Sequence, residues 1–253
     1  MRNLWIENAT ALAEAYSNSV GTVRFELVTR ALLMHMSREP QRVVDVGGGF
    51  GRQAIMLARA GHSVVVVDVD PKMLSTAESQ LLSESSEVRS RVTLVLGHGE
   101  AAVGLVGTDF DVVCCHSVLM YQDDPAPILS AVVRLARKGG LISLLCVNRN
   151  ASAMRSALQG RWHDALAKLQ LDKPAPDRCL RTHEHTVEQI TEMIGALGAC
   201  AKEWYGVGVF TDHLAETILV EDPNEVYSVE WLAGSRDPYR QVARCFHLLA
   251  QRT

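Results

Sequence analysis

A chain of 253 residues, 47% of them apolar, is long enough for one sizeable α/β core and barely long enough for two independent domains, so one core is expected. The formal net charge of -4 and a pI near 6.1 exclude a generally basic nucleic-acid coat while leaving room for a local basic face. Cysteines at 114, 115, 146, 179, 200 and 245 form no C-x-x-C pair, there is no signal-peptide pattern, and no apolar run approaches the roughly 20 residues that span a bilayer, which points away from a zinc knuckle, a disulfide framework or a membrane segment and towards a soluble, cytoplasmic protein with reduced thiols.

Residues 4–36 have the pattern of helix, broken near Ser17 to Gly21, and Pro40 ends the run. This helical preface (1–39) leads into the β-branched strand RVVDV. Strands and helices then alternate: a glycine turn, a helix through RQAIMLARAG, the strand SVVVVDVD, a helix from Pro71 to about Leu82, and the strands RVTLVLG and DFDVVCCHS. A helix after Pro125 runs through Leu135, and Gly139-Gly140 precede the strand LISLLCV. The alternation predicts a doubly wound, mostly parallel, Rossmann-like α/β sheet over residues 40–148. Residues 149–185 are rich in Arg and Lys, lack strand alternation, and hold Trp162 and a PAP turn at 174–176; they are expected to be an insertion that caps the sheet edge. Within them HEH at 183–185 reads as a solvated turn, because alternating residues lack the i, i+4 pairing of a helical metal site and no third ligand is evident. A helix from about Thr186 to Leu197, the strand-like WYGVGVFTD, and a helical tail with a DPY turn at 237–239 complete a single domain over 186–253.

In VVDVGGGFG, Gly47, Gly49 and Gly51 directly follow the first strand and open a helix, with Gly48 between them and Asp45 ahead, so the backbone can approach a ligand without a Cβ in the way. Asp68 ends the second strand 17 positions beyond Gly51, where a carboxylate can accept hydrogen bonds from both hydroxyls of a ribose. Loop and acid together fit a nucleoside cofactor, either S-adenosylmethionine or a dinucleotide. The bland alternative is a glycine turn that serves packing only, with Asp68 capping the helix that starts near Pro71.

Asp45, Gly47, Gly49 and Gly51 reproduce the D-x-G-x-G-x-G first motif of class I methyltransferases, which the chain also resembles in DVV at 111–113, in Gly139-Gly140, and in a late strand-like pair near residue 206. Over nearly its whole length it further resembles the bacterial methyltransferases that esterify the carboxyl group of 5-carboxymethoxyuridine at the tRNA wobble position. The shared stretches are GTVR at 21–24, DVGGGFG at 45–51, HSVL at 116–119 followed by Asp124-Pro125, GVGVFTDHL at 206–214 and DPYRQVARCFH at 237–247. The resemblance implies S-adenosylmethionine as cofactor, with Arg24 paired to its carboxylate, Gly47 and Gly48 against it, Asp68 on the ribose, Gly99 and Glu100 beside the adenine, and His116 beside the sulfonium.

The chain departs from that family where Gly208 replaces an arginine and where a lysine-rich tract is missing; residues 149–185 hold seven Lys or Arg against four Asp or Glu. With the net charge, these differences favour a small acidic metabolite or natural product over tRNA as the methyl acceptor, a carboxylate being the accepting group in either case. Tyr121, Asn148, Arg149, Trp162, Arg240 and Arg244 are the candidates for lining the acceptor side, Arg240 and Arg244 being one helical turn apart. His116 is the catalytic candidate, a base if the acceptor is a hydroxyl or amine, or else a hydrogen-bonded core residue. No metal is expected. A third class, a noncatalytic adenosine-cofactor-binding protein or an NAD enzyme, stays open, as does the oligomeric state.

Overall fold

The computed structural model describes residues 19–170, 183–214 and 223–253. Its elements are α1 (Ser19–His35), β1 (Arg42–Val46), α2 (Arg52–Arg59), β2 (Ser63–Asp68), α3 (Pro71–Leu82), α4 (Ser86–Ser90), β3 (Val92–Leu96), α5 (Ala102–Val106), β4 (Phe110–His116), α6 (Ala126–Leu135), β5 (Ala136–Val147), α7 (Met154–Leu158), α8 (Trp162–Gln170), α9 (Val187–Ala196), β6 (Ala199–Val207), α10 (Pro223–Gly234) and β7 (Cys245–Arg252). The described strands form one sheet in the order β3-β2-β1-β4-β5-β7-β6. β1 to β5 pair in parallel, and β7 runs antiparallel to both β5 and β6.

The apolar runs of the central strands follow from burial on both faces, as expected of parallel strands covered by helices. Along β4, Val112 and Cys114 join the core layer that contains Leu27 and Leu32 of α1 and Leu57 of α2. Val113 and Cys115 join the opposite layer, with Ile128, Leu129 and Val132 of α6 and Ile190 and Ile194 of α9. The period of two along a strand thus feeds two separate helix layers. Thr186 starts α9 with a capping box, its side chain accepting from Gln189 N–H while the Gln189 side chain reaches back.

Several expectations need correction. α1 begins at Ser19 and continues through Gly21, a buried helix position; the rest of the preface pattern, residues 4–18 with the start of the expected break, lies outside the described residues, as does the PAP turn at 174–176. Gly139 and Gly140 lie inside β5, not before it. A register shift between Phe110 and Val112 brings the backbone so close that a Cβ on Gly140 would stand 3.0 Å from the Phe110 carbonyl oxygen. The 149–185 segment leaves and returns at the carboxyl end of β5, where Arg149 N–H donates to His185 O (2.9 Å) and His185 N–H to Val147 O (3.0 Å). Because β5 lies between β4 and β7, that place is the end of an interior strand and not the sheet edge. His183 to His185 are no solvated turn: His185 bridges Asn148 and the Glu184 side chain is 9% exposed. The helical tail stops at Gly234, and after a short 3-10 turn the chain becomes β7, inserted between β5 and β6; the polar alternation of a surface helix is absent from CFHLLA because both faces of that strand are buried.

Candidate active site

The order in which the chain adds strands reverses between β1 and β4, and a crevice opens there outside the carboxyl ends of the strands. It holds a cavity of about 440 Å³ walled by the glycine loop, the ends of β2 and β4, and α1. Gly47, Gly49 and Gly51 adopt φ of 72°, 55° and 75°, and Gly47 N–H donates to Val67 O (2.7 Å), tying the loop to β2. Gly47 and its neighbour Gly48 are also sterically required: a Cβ on Gly47 would overlap the Val118 side chain, and one on Gly48 would lie 2.7 Å from Asp45 Oδ2. Gly99 is crowded in the same way by Ile128 and Val46.

Asp68 accepts from Gly49 N–H (2.8 Å) on one oxygen and from Asp70 N–H (2.9 Å) on the other, which fixes its carboxylate at the cavity wall; each oxygen retains a lone pair. The cap of α3 is Asp70, whose Oδ1 accepts from Lys72 N–H (2.8 Å), so Asp68 is released from that duty. Sequence reasoning missed Asp70 and Gln53. Both line the cavity, and Asp70 Oδ2 and Gln53 Oε1 are buried acceptors with no partner among the described residues. Behind the loop, burial and then the nearby Asp68 push the Asp45 carboxyl up to about 7.

At the end of β4, His116 Nε2 lies 2.8 Å from Ser143 Oγ. Burial and then the Arg24 guanidinium hold its pKa down to about 3, so the ring is neutral at pH 7. The ring is thus both hydrogen-bonded and part of the cavity wall, and its lowered pKa makes it a weak base. Ser117 follows with φ of 58°, uncommon for a residue bearing a Cβ, and accepts from Arg24 Nη1 at 3.4 Å. That left-handed turn sets Ser117 facing α1.

The structure brings Arg24, Asp45, Gly47, Gly48, Gly49, Asp68, Gly99, Glu100, His116 and Tyr121 to one cavity. Gly51 sits behind it, against Ala77 of α3. The remaining acceptor-side candidates do not line it. Asn148 is a buried tie: its Nδ2 donates to Gln241 O (2.9 Å) and Ala243 O (3.0 Å), and its Oδ1 accepts from Asn150 N–H. Trp162 is 70% exposed on α8, and Arg149 belongs to the turn that pairs with His185. Arg240 and Arg244 share no helical face, because the chain is already extended at Ala243. Arg240 binds Asp237 (2.9 Å) and stacks over Trp204, while Arg244 stands 3.8 Å from both Glu184 and Asp212. Among the described residues no group of three or more His, Cys, Asp or Glu is placed to hold a metal ion, and no helix is long and apolar enough to cross a membrane.

Residues 44–144 match the family model described as a methyltransferase domain. With the glycine loop, the acid ending β2 and this sheet order, the protein is a class I S-adenosylmethionine-dependent methyltransferase. It is similar over nearly its full length to the tRNA 5-carboxymethoxyuridine methyltransferase of Escherichia coli K12, with 25% identity over 257 aligned residues, 97% of this chain and 96% of that protein. A ubiquinone biosynthesis O-methyltransferase of Methylococcus capsulatus is 32% identical over 126 residues, covering 50% of this chain and 52% of that one. Among solved structures, a methyltransferase from Thermotoga maritima superposes with a TM-score of 0.62 at 14% identity over the whole of both chains. The magnesium protoporphyrin IX methyltransferase of Synechocystis PCC 6803 gives 0.59 at 17% identity, covering 93% of this chain and 86% of that one. At such identities the structural likeness speaks for the fold.

Proposed function

We propose that the protein methylates a carboxylate oxygen of a small acidic molecule, forming a methyl ester. The observation that carries this reading is that His116 is hydrogen-bonded through Nε2 and held far below the usual imidazole range, which makes it a weak base, while its neighbours Arg24 and Ser117 supply none at neutral pH. A hydroxyl or amine acceptor needs a proton removed; a carboxylate arrives ionised and needs none.

The cradle suits the cofactor. Asp68, already fixed by two backbone donors, is set to accept from ribose hydroxyls. Gly47 and Gly48 present backbone without a Cβ, Gly99 and Glu100 line the cavity where they would border the adenine, and the Arg24 guanidinium would offer a planar fork to the methionine carboxylate. When bound, S-adenosylmethionine supplies an electrophilic methyl group. The chain's own part is to hold an acceptor aligned and dry beside it, which is where most of the acceleration of an in-line displacement arises.

A small acid is favoured over tRNA because Arg240 and Arg244 already face Asp237, Glu203, Glu184 and Asp212, leaving little uncompensated positive charge there for a polyanion. The second reading, a tRNA wobble uridine, is supported by the full-length likeness to the Escherichia coli enzyme. Incubation with methyl-labelled S-adenosylmethionine and fractionated cell extract separates them. Label in small molecules that is released by mild alkali supports the first reading, and label in tRNA nucleosides selects the second. Label stable to alkali overturns the ester.

A further inference from the structure

β5 and β7 contain the apolar runs LISLLCV and CFHLLA, each interrupted by one polar residue, Ser143 and His247, and both of these are 0% exposed. Burying such groups unpaired costs about 1 to 3 kcal/mol each, so their placement calls for a reason. They are bonded to each other and to the site. Ser143 Oγ lies 2.6 Å from His247 Nε2 and 2.8 Å from His116 Nε2, and the two rings meet edge to face with centroids 5.6 Å apart.

A hydroxyl carries one proton, which gives this chain of three groups a direction. His247 Nδ1 is sealed from solvent with no partner among the described residues. Buried N–H groups without an acceptor are rarer than buried acceptors without a donor, so the proton of His247 belongs on Nε2, where it is donated to Ser143. Ser143 then donates its own proton to His116 Nε2. The reverse order would leave an orphaned N–H at His247 Nδ1, and two rings donating to Ser143 would orphan its O–H. His116 is left with its proton on Nδ1, a nitrogen that is not sealed off as that of His247 is, on a ring that lines the cavity near Arg24.

We propose that Ser143 and His247 are positioning residues which fix His116 as the Nδ1–H tautomer, so that it offers the acceptor oxygen a hydrogen-bond donor and no lone pair. The identity of that oxygen rests on the carboxylate reading above; the tautomer does not. A neutral N–H suits the task, because it orients an anion without the added positive charge of an imidazolium and so leaves the oxygen more nucleophilic.

Long-range proton–nitrogen correlation spectra of the full chain labelled with ¹⁵N-histidine, saturated with S-adenosylhomocysteine at pH 7, test this directly, His116 being assigned by His116→Gln. The expected pattern is protonated Nδ1 and bare Nε2 at His116, and the opposite at His247. A protonated Nε2 at His116, or an imidazolium there, overturns the proposal. Ser143→Ala should spread His116 over both tautomers while Ser143→Thr, which keeps the hydroxyl, restores one; if Ser143→Ala does not fold, the wild-type spectrum still decides. Acetate added as an anionic probe should shift the His116 Nδ1 signal. No response to acetate with the expected tautomer present would sink the acceptor contact and the carboxylate reading while sparing the relay, whereas the wrong tautomer would sink the relay alone.

Discussion

On one side of the cavity, Asp45, Gly47 to Gly49 and Asp68 come from a single strand-loop-helix-strand stretch of consecutive sequence. On the other side, Arg24 and His116 at the wall, with Ser143 and His247 buried behind His116, come from α1, β4, β5 and β7, four elements scattered over more than 200 positions. The glycine-loop side is held by backbone hydrogen bonds and by the absence of Cβ atoms, so its chemistry is local. The histidine side is held by buried side-chain bonds across strands, so each member depends on the fold being complete.

The two sides also carry opposite proton liabilities, and this gives the largest expected effect. Asp45, raised to about 7, is stable in its protonated form, so its side of the molecule loses stability as pH rises from its unfolded value of 3.8 through 7. His116, lowered to about 3, must be neutral, so its side loses stability as pH falls from 6.5 towards 3. Each slope amounts to at most about 4 to 5 kcal/mol at 1.36 kcal/mol per pKa unit. In urea denaturation, Asp45→Asn should gain on wild type as pH is raised from 4 to about 7, and His116→Gln should gain on it as pH is lowered over the same range. Parallel curves for wild type and either variant would erase the contrast.

Next in size is Gly47→Ala, which adds a Cβ against Val118 at a backbone φ of 72°. Strain and overlap together should cost about 2 to 4 kcal/mol, read as at least a tenfold loss of S-adenosylhomocysteine affinity by calorimetry. Asp68→Ala removes the acceptor for Gly49 N–H and Asp70 N–H as well as for the ribose, at roughly 1.5 to 3 kcal/mol of cofactor affinity; an unchanged dissociation constant would place Asp68 outside the site. Arg24→Lys keeps the charge and loses the fork, and should weaken binding by about 1 kcal/mol. The smallest effect is expected at Arg240→Ala. Its ion pairs lie near the surface and away from the cavity, so cofactor affinity should stay within about twofold. A large loss there would mean that the two sides are coupled through β6 and β7.

From sequence alone the glycine-loop side is legible down to single residues, because a positive φ, a missing Cβ and a carboxylate at a strand end leave their marks within some 25 consecutive positions. The alternation of β-branched runs with helical ones likewise determines the parallel half of the sheet, since strands buried on both faces have little freedom of composition. What only the tertiary structure decided is the order in which the last strand enters. CFHLLA carries no periodicity that separates a buried strand from a buried helix, and its insertion between β5 and β6 is settled by cross-strand pairing with β5, about 100 positions away, and with β6, 38 to 53 positions away. That insertion is what sets His247 against Ser143 and His116, and what turns Arg240 and Arg244 from one expected helical face towards separate acidic partners. A lone serine and a lone histidine in two apolar strands are a visible oddity in the sequence, but their meeting depends on register, and a slip of one residue would have sent each to the opposite face of the sheet.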